Sequence, residues 1–290
     1  MTAPATATPP DSGPAALRVL TYNVYGPANP DWQRRLRLAS ATLRGLDADV
    51  LALQEVPVDR SEVLEELTGP GYHYSHFSRP AADGVGGTLA TRWPHRVVTE
   101  IDLRITDRSR EALSWCATVV VELETPVGEL VVAHHKPSWP FPFEWEREQQ
   151  ALLAARAIEE HLRSRSGVHA VVLGDFDATP DSTSLRFWRG RTSLEGTSVC
   201  YQDAWEYVRP DDPGTTFDLA NPLARDGEVA TAVSRRIDHV LVRSGLHGPT
   251  LQAVDCRRFL DAPVGGVWAS DHYGVVADLV RPDNPPGYRS

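Results

Sequence analysis

The polar residues able to do chemistry stand where apolar strands stop. Asn23 closes VLTYN, Glu55 closes LALQE, and His134 and His135 close LVVAHH. Asp175 and Asp177 follow VVLG, Asp238 interrupts the apolar run RRIDHVLV, and Asp271 with His272 opens SDHYGVV. Carboxylates dominate this set, and oxygen-rich ligand sets suit hard cations such as Mg2+ or Mn2+. Zinc prefers closely spaced His or Cys ligands, and neither HxxxH nor HExxH occurs. Singly, each residue has an ordinary reading. Glu55 could be a solvated strand end, Asp175 a turn cap, and His134 and His135 packed imidazoles. Asp238 is harder to dismiss, because a carboxylate in an apolar run is costly to bury without a partner.

Strand ends suit such groups because a sheet fixes side-chain directions. Leu17–Gly26 and Ala48–Val56 have strand composition. Between them, residues 32–46 show helical spacing, with Leu36, Ala39 and Leu43 on one face, arginines elsewhere and Asp31 as N-cap. A short helix is expected over Arg60–Leu67. Strands are expected at Tyr72–Phe77, Gly87–Arg92, Arg96–Leu103 and Ala112–Leu123, paired antiparallel because no helix intervenes. Leu130–His135 is a further strand, Glu144–Arg163 the longest helix, and Ala170–Leu173 a strand ending in Gly174-Asp175. Arg236–Val242, Thr250–Cys256 and Tyr273–Val280 complete the set. This order predicts an α/β fold: two packed mixed sheets flanked by helices, over one domain at 17–282. Residues 1–16 and 283–290 are expected to be tails. Gly84–Gly87 reads as a turn, and no GxxxxGK[ST] or GxGxxG phosphate loop is present.

The bulk properties exclude other classes. A chain of 290 residues with 41% hydrophobic and 23% charged residues has ample core. Mean hydropathy is −0.31, and no apolar run approaches the roughly 18 residues of a membrane span. There are 29 basic and 39 acidic residues, a net charge of −10, which disfavours general electrostatic coating of nucleic acid. Lys136 is the only lysine. Cys116, Cys200 and Cys256 are far apart and form no CxxC pair. Reduced, buried thiols and a cytoplasmic protein are expected. No heptad pattern suggests assembly, so a monomer is expected.

Taken in order, TYN, LQEV, AHH, GDFDATPDS, RRIDHVLV and SDHYGVVADL resemble the endonuclease/exonuclease/phosphatase superfamily. That family includes pancreatic-type DNases, abasic-site endonucleases, neutral sphingomyelinases, inositol polyphosphate 5-phosphatases and poly(A) deadenylases. The resemblance runs from about Leu17 to Val280 and implies a four-layer α/β sandwich. It implies that Glu55 is the principal ligand of Mg2+ (or Mn2+), with Asn23 and Asp271 beside the metal. It implies that Asp175 orients or deprotonates the attacking water, and that Asp238 fixes His272 against the phosphate. The family's Thr-His reads His134-His135 here. His135 aligns with the family histidine and His134 remains the alternative, since a slip of one residue reverses the face. The family's GDFN or GDLN is GDFD, so Asp177 replaces an asparagine. A carboxylate cannot donate a hydrogen bond unless protonated. Asp177 is therefore protonated, a ligand to a second metal, or set aside.

The resemblance implies metal-assisted hydrolysis of a phosphoester by in-line attack of water, on nucleic acid or a small phosphodiester. The alternative is a catalytically idle relative that binds a phosphate-bearing ligand or a protein, supported only by Asp177. A lipid headgroup substrate would require an exposed apolar element. Around the site, Lys136 could hold a phosphate while Trp139, Phe141, Phe143 and Trp145 stack on a base or simply pin a loop. Gly214–Phe217, Arg235 and Arg236 could line the cleft, Arg236 as the substrate-binding choice. Arg186–Arg191 could contact a polyanion or cover a helix end.

Overall fold

In the structure, a computed structural model, residues 16–227, 229 and 233–284 are described. Of the expected tails, 1–15 and 285–290 lie outside the described residues, and Ala16 already opens the first strand. In chain order the elements are β1 (Ala16–Asn23), α1 (Trp32–Leu46), β2 (Val50–Pro57), α2 (Ser61–Thr68), β3 (His73–His76), β4 (Val85–Thr91) and β5 (His95–Asp102). Next come α3 (Asp107–Ala112), β6 (Ala117–Thr125), β7 (Gly128–Lys136), α4 (Glu144–Leu162), β8 (His169–Asp175) and α5 (Thr183–Trp188). The chain closes with β9 (Tyr201–Asp203), α6 (Ala204–Val208), α7 (Pro222–Arg225), β10 (Asp238–Gly245), β11 (Gly248–Pro249), β12 (Gln252–Phe259) and β13 (Gly274–Val280).

Two mixed sheets result. One has the order β12-β13-β1-β2-β4-β3; the other runs β11-β10-β8-β7-β6-β5, with β9 against β10. Only β1–β2 and β7–β8 are parallel, and each is joined by a long helix, as a parallel crossover requires. The pairs β3–β4 and β5–β6 are antiparallel as expected, but β4 and β5 belong to different sheets.

Alternation along each strand builds four layers. In β7, Leu130 and Val132 enter the apolar layer between the sheets, while Val131 and Ala133 pack beneath α4. In β1, Leu17 and Val19 face the other sheet, and Leu20 and Tyr22 face α1 and α2. Each fully buried aliphatic side chain contributes about 1.5–3 kcal/mol. A one-residue slip would forfeit a whole face, so the register is firmly held.

Several details differ from expectation. Asp31 precedes α1 at φ 56°, but its side chain makes no capping bond. Arg35 lies on the buried face of α1 with Leu36, Ala39 and Leu43. The start of the expected strand at Ala112 belongs instead to α3, which Thr106 caps by accepting from the Ser109 N–H. Only Gly84 of GVGG precedes β4; Gly86 and Gly87 are inside the strand. Cys116 and Cys256 are buried, but Cys200 is exposed. No helix among the described residues is long and apolar enough to cross a membrane.

Candidate active site

The two sheets bring their polar strand ends to one cleft of about 410 Å3. Parallel pairing places Asn23 beside Gln54, so the next residue, Glu55, stands at the same level. Between Leu53 and Val56 the β2–β4 register shifts, and Glu55 has φ 59°. This bulge takes Glu55 out of the ladder and into the cleft. A non-glycine residue in the left-handed region costs about 1–3 kcal/mol, which the surrounding sheet must sustain. Tyr25, at φ 56°, and Asp177, at φ 49°, are further such residues lining the cleft.

The other sheet contributes a direct pair: Asp238 of β10 lies opposite Asp175 of β8. Thr216 Oγ1 accepts the Ile237 and Asp238 N–H groups at 3.1 and 3.3 Å, while its carbonyl accepts from Tyr273 at 2.7 Å. One threonine thus joins the segments carrying Asp238 and His272. Ser270 donates to the Asn23 carbonyl at 2.7 Å and accepts from the His272 N–H at 3.1 Å, locking that segment to β1.

Asn23 Nδ2 lies 2.9 Å from Glu55 Oε1 and 3.3 Å from Asp175 Oδ2, so one amide bridges the sheets. Its Oδ1 accepts the Tyr25 N–H at 3.0 Å, which fixes the amide's orientation. His272 Nδ1 lies 3.0 Å from Asp238 Oδ2. Lys136 Nζ donates to Asp175 Oδ2 at 2.9 Å and also to Asp177 Oδ2. The Asp177 N–H in turn donates to Asp175 Oδ1 at 3.2 Å.

Charge follows from this crowding. Burial, then neighbouring Asp271, pushes the Glu55 carboxyl up to about 7. Burial raises Asp177 and Asp271 as well. Burial also opposes ionisation of Asp175, but the Lys136 ammonium overcomes it and holds that carboxyl at about 2. Burial disfavours charge on His272, yet Asp238, Asp175 and Asp271 keep its pKa well above the ordinary imidazole value.

Three expected site residues lie elsewhere. His135 faces the helix layer, with Nδ1 2.6 Å from Thr118 Oγ1 and its ring between Phe176 and Trp188. His134 faces the inter-sheet layer, packs on Phe77, and receives the Gln54 amide at Nε2, 2.7 Å away. Burial pushes both imidazoles down to about 3, so they are neutral packing groups that do not line the cleft. Alternation makes the next inward position Lys136, which does line it. Arg236 is turned from the cleft and buried against Asp203 at 2.7 Å. It faces a second cavity, of about 820 Å3, shared with Arg186, Arg189 and Arg191. The cleft arginine is Arg235, held 4.3 Å over the Phe141 ring and 5.7 Å from the Phe217 ring centroid. Its Nε is buried without a hydrogen-bond partner among the described residues. Trp139 and Phe141 form an exposed wall of the cleft, whereas Phe143 is buried.

Arg35 escaped sequence reasoning. Its guanidinium caps the carbonyls of Val24, Gly26 and Pro30, and that of Ala269. It therefore joins the loop after β1 to the segment bearing Asp271. Its position among the apolar residues of α1 was the available signal.

The donor set fits a divalent cation. Donor atoms of Asp175, Asp238 and His272 lie within 4.8 Å of one another, and Asp238 Oδ1 is buried without a hydrogen-bond partner among the described residues. His272 Nδ1 is taken by Asp238, which leaves the cation to the oxygen side, where Asp271 disfavours the ionisation of Glu55.

An α/β sandwich with carboxylates, an amide and an Asp–His pair at its strand ends has the architecture of a phosphoester hydrolase. Residues 20–272 match the model described as the Endonuclease/Exonuclease/phosphatase family, and the chain belongs to that family. Truncated TDP2 from Caenorhabditis elegans is similar in fold, with 16% identity and a TM-score of 0.69 over 91% of this chain and 97% of that one. The human Nocturnin catalytic domain with bound sulfate gives 19% identity and 0.66 over 92% and 94%. The mannosyl-6-phosphatase Bt3783 of Bacteroides thetaiotaomicron gives 19% and 0.64 over 91% and 99%. No curated protein sequence matches the chain.

Proposed function

We propose that this chain is a Mg2+-dependent phosphodiesterase. The observation that carries the reading is the meeting, at one cleft, of Asn23, Glu55 and the His272 segment that leads into β13, all of one sheet, with Asp175 and the Asp238 partner of His272 from the other. Glu55 and Asp271 would hold the cation, with Asn23 fixing the Glu55 carboxylate. When bound, the cation neutralises charge on a nonbridging oxygen and on the leaving oxygen.

The chain's own groups supply the rest. Asp175 stays ionised beside Lys136 and orients water for in-line attack. His272, held by Asp238 through Nδ1, carries a proton and stabilises the negative charge that grows on phosphorus oxygens. Arg235 offers an unpaired N–H to a phosphate, already oriented by two aromatic rings. Trp139, Phe141 and Phe217 provide an apolar wall for a planar leaving group such as a base. A cleft of this volume suits a small ligand or a strand end.

The test is hydrolysis of bis(p-nitrophenyl) phosphate and of p-nitrophenyl phosphate with Mg2+. Diester turnover abolished by EDTA and by Glu55→Ala is expected. Turnover confined to the monoester would make the chain a phosphatase, and turnover surviving EDTA would refute the metal-dependent reading.

A further inference from the structure

Lys136 is the only lysine of the chain, and it is 3% exposed at the floor of a carboxylate cluster. β7 aims it inward by the same alternation that aims Leu130 and Val132 between the sheets. Its ammonium lies 2.9 Å from Asp175 Oδ2 and bonds Asp177 Oδ2. Asp177 reaches this place through its left-handed backbone, with its own N–H on Asp175 Oδ1. The two aspartates and the lysine therefore form one closed unit, and Asp175 Oδ2 is shared between Lys136 and the Asn23 amide that also holds Glu55.

We propose that the Lys136 ammonium fills the place a second metal ion would take between Asp175 and Asp177, so the site accepts one divalent cation. This rests on the phosphodiesterase reading above.

Three arguments carry it. The first is space. Two-metal hydrolytic sites hold ions about 3.5–4 Å apart, commonly sharing a carboxylate. Mg2+ stands about 2.0–2.1 Å from its ligand oxygens, so an ion on Asp175 Oδ2 would lie within about 5 Å of the ammonium. Two cations at that range inside a buried cluster repel strongly. The second is charge balance. The aspartate at 177 adds a negative charge where the related motif has an amide, and Lys136 adds a positive charge in direct contact with it. The third is donor count. An ammonium has three N–H groups. Two are engaged by Asp175 and Asp177, and the third, with no hydrogen-bond partner among the described residues, is available to a phosphate oxygen in the cleft that Lys136 lines. The lysine thus brings a permanent charge to the phosphate without a second ion.

The experiment is Mn2+ binding to the full chain, by equilibrium dialysis and electron paramagnetic resonance, for the wild type, Lys136→Arg and Lys136→Met. One ion per chain with an uncoupled Mn2+ spectrum is expected for the wild type and Lys136→Arg. Two ions with a spin-coupled spectrum are expected for Lys136→Met. If circular dichroism shows that Lys136→Met does not fold, Lys136→Gln, which removes the charge and keeps both carboxylates, is read the same way. Two ions in the wild type would overturn the inference and leave the phosphodiesterase reading standing. One ion in every folded variant would also overturn it. No ion in the wild type would overturn the metal-dependent reading and this inference with it.

Discussion

Asp238 and Asp175 face each other across the β8–β10 ladder, and their charges are divided between two different cations. Asp238 Oδ2 lies 3.0 Å from His272, while Asp175 Oδ2 lies 2.9 Å from Lys136. Two adjacent carboxylates would ordinarily force one to protonate. Here each has its own positive partner, and the Lys136 ammonium holds the Asp175 carboxyl down, so each can serve a separate task.

That division predicts how activity depends on pH. The pKa of His272 is raised, so the imidazolium persists below that value and is lost as pH climbs through it. Asp238→Asn removes the largest raising influence, so the alkaline limb of kcat should move to lower pH. A pH–rate profile of both proteins checks this. An unmoved limb would mean that His272 does not act as the imidazolium.

Glu55 shows the opposite relation between activity and stability. It is held at φ 59°, and burial disfavours its charge. Glu55→Gln should lower kcat/KM by at least about 100-fold. Without metal, its melting temperature should not fall below that of the wild type, because an ionisable group that is costly to bury has gone. Differential scanning calorimetry in EDTA together with turnover assays tests both halves.

Arg235 and Arg236 are neighbours with separate duties. Arg235→Ala should raise KM for a phosphodiester with little change in melting temperature. Arg236→Ala leaves Asp203 buried without its cation, a loss of about 3–5 kcal/mol, read by urea denaturation. Burial opposes charge on Asp203, but His239 and Arg236 outweigh it and its pKa is depressed. This contribution is therefore present above the unfolded carboxyl pKa and disappears as pH falls below it. The difference between wild type and Arg236→Ala should shrink in acid.

Gly174 permits the close approach of β7 and β8. A Cβ there would meet the His135 carbonyl oxygen at 2.1 Å, and its φ is 153°. Gly174→Ala should force the strands apart beside Asp175 and Lys136. Its cost should exceed the roughly 0.5–3 kcal/mol of an ordinary substitution, with most activity lost. A stable, active alanine variant would contradict the close approach.

Much of this was legible in the strand-end pattern. Asn23, Glu55, Asp175 and Asp177 were marked as polar residues closing apolar runs and Asp271 and His272 as opening one, and all line the cleft. Asp238 was marked by its interruption of one, and it stands behind His272. The histidines failed because adjacent strand residues face opposite ways. His134 and His135 sit on either side of β7, and the cleft begins one step further on, at Lys136. The same parity exchanged Arg236 for Arg235. Arg35 was hidden because an arginine on a helix is ordinarily read as solvated, and only the carbonyls around it reveal its purpose.

Local order along the chain thus determined the strands, the long helices and the chemical types at the strand ends, since these depend on periodicity and composition. Which strand joined which sheet, which face each residue took, and which acid met which base were decided only by tertiary structure. Those outcomes rest on register between segments far apart in sequence. Asn23 meets Asp175 across 152 residues, and no local pattern can encode that contact.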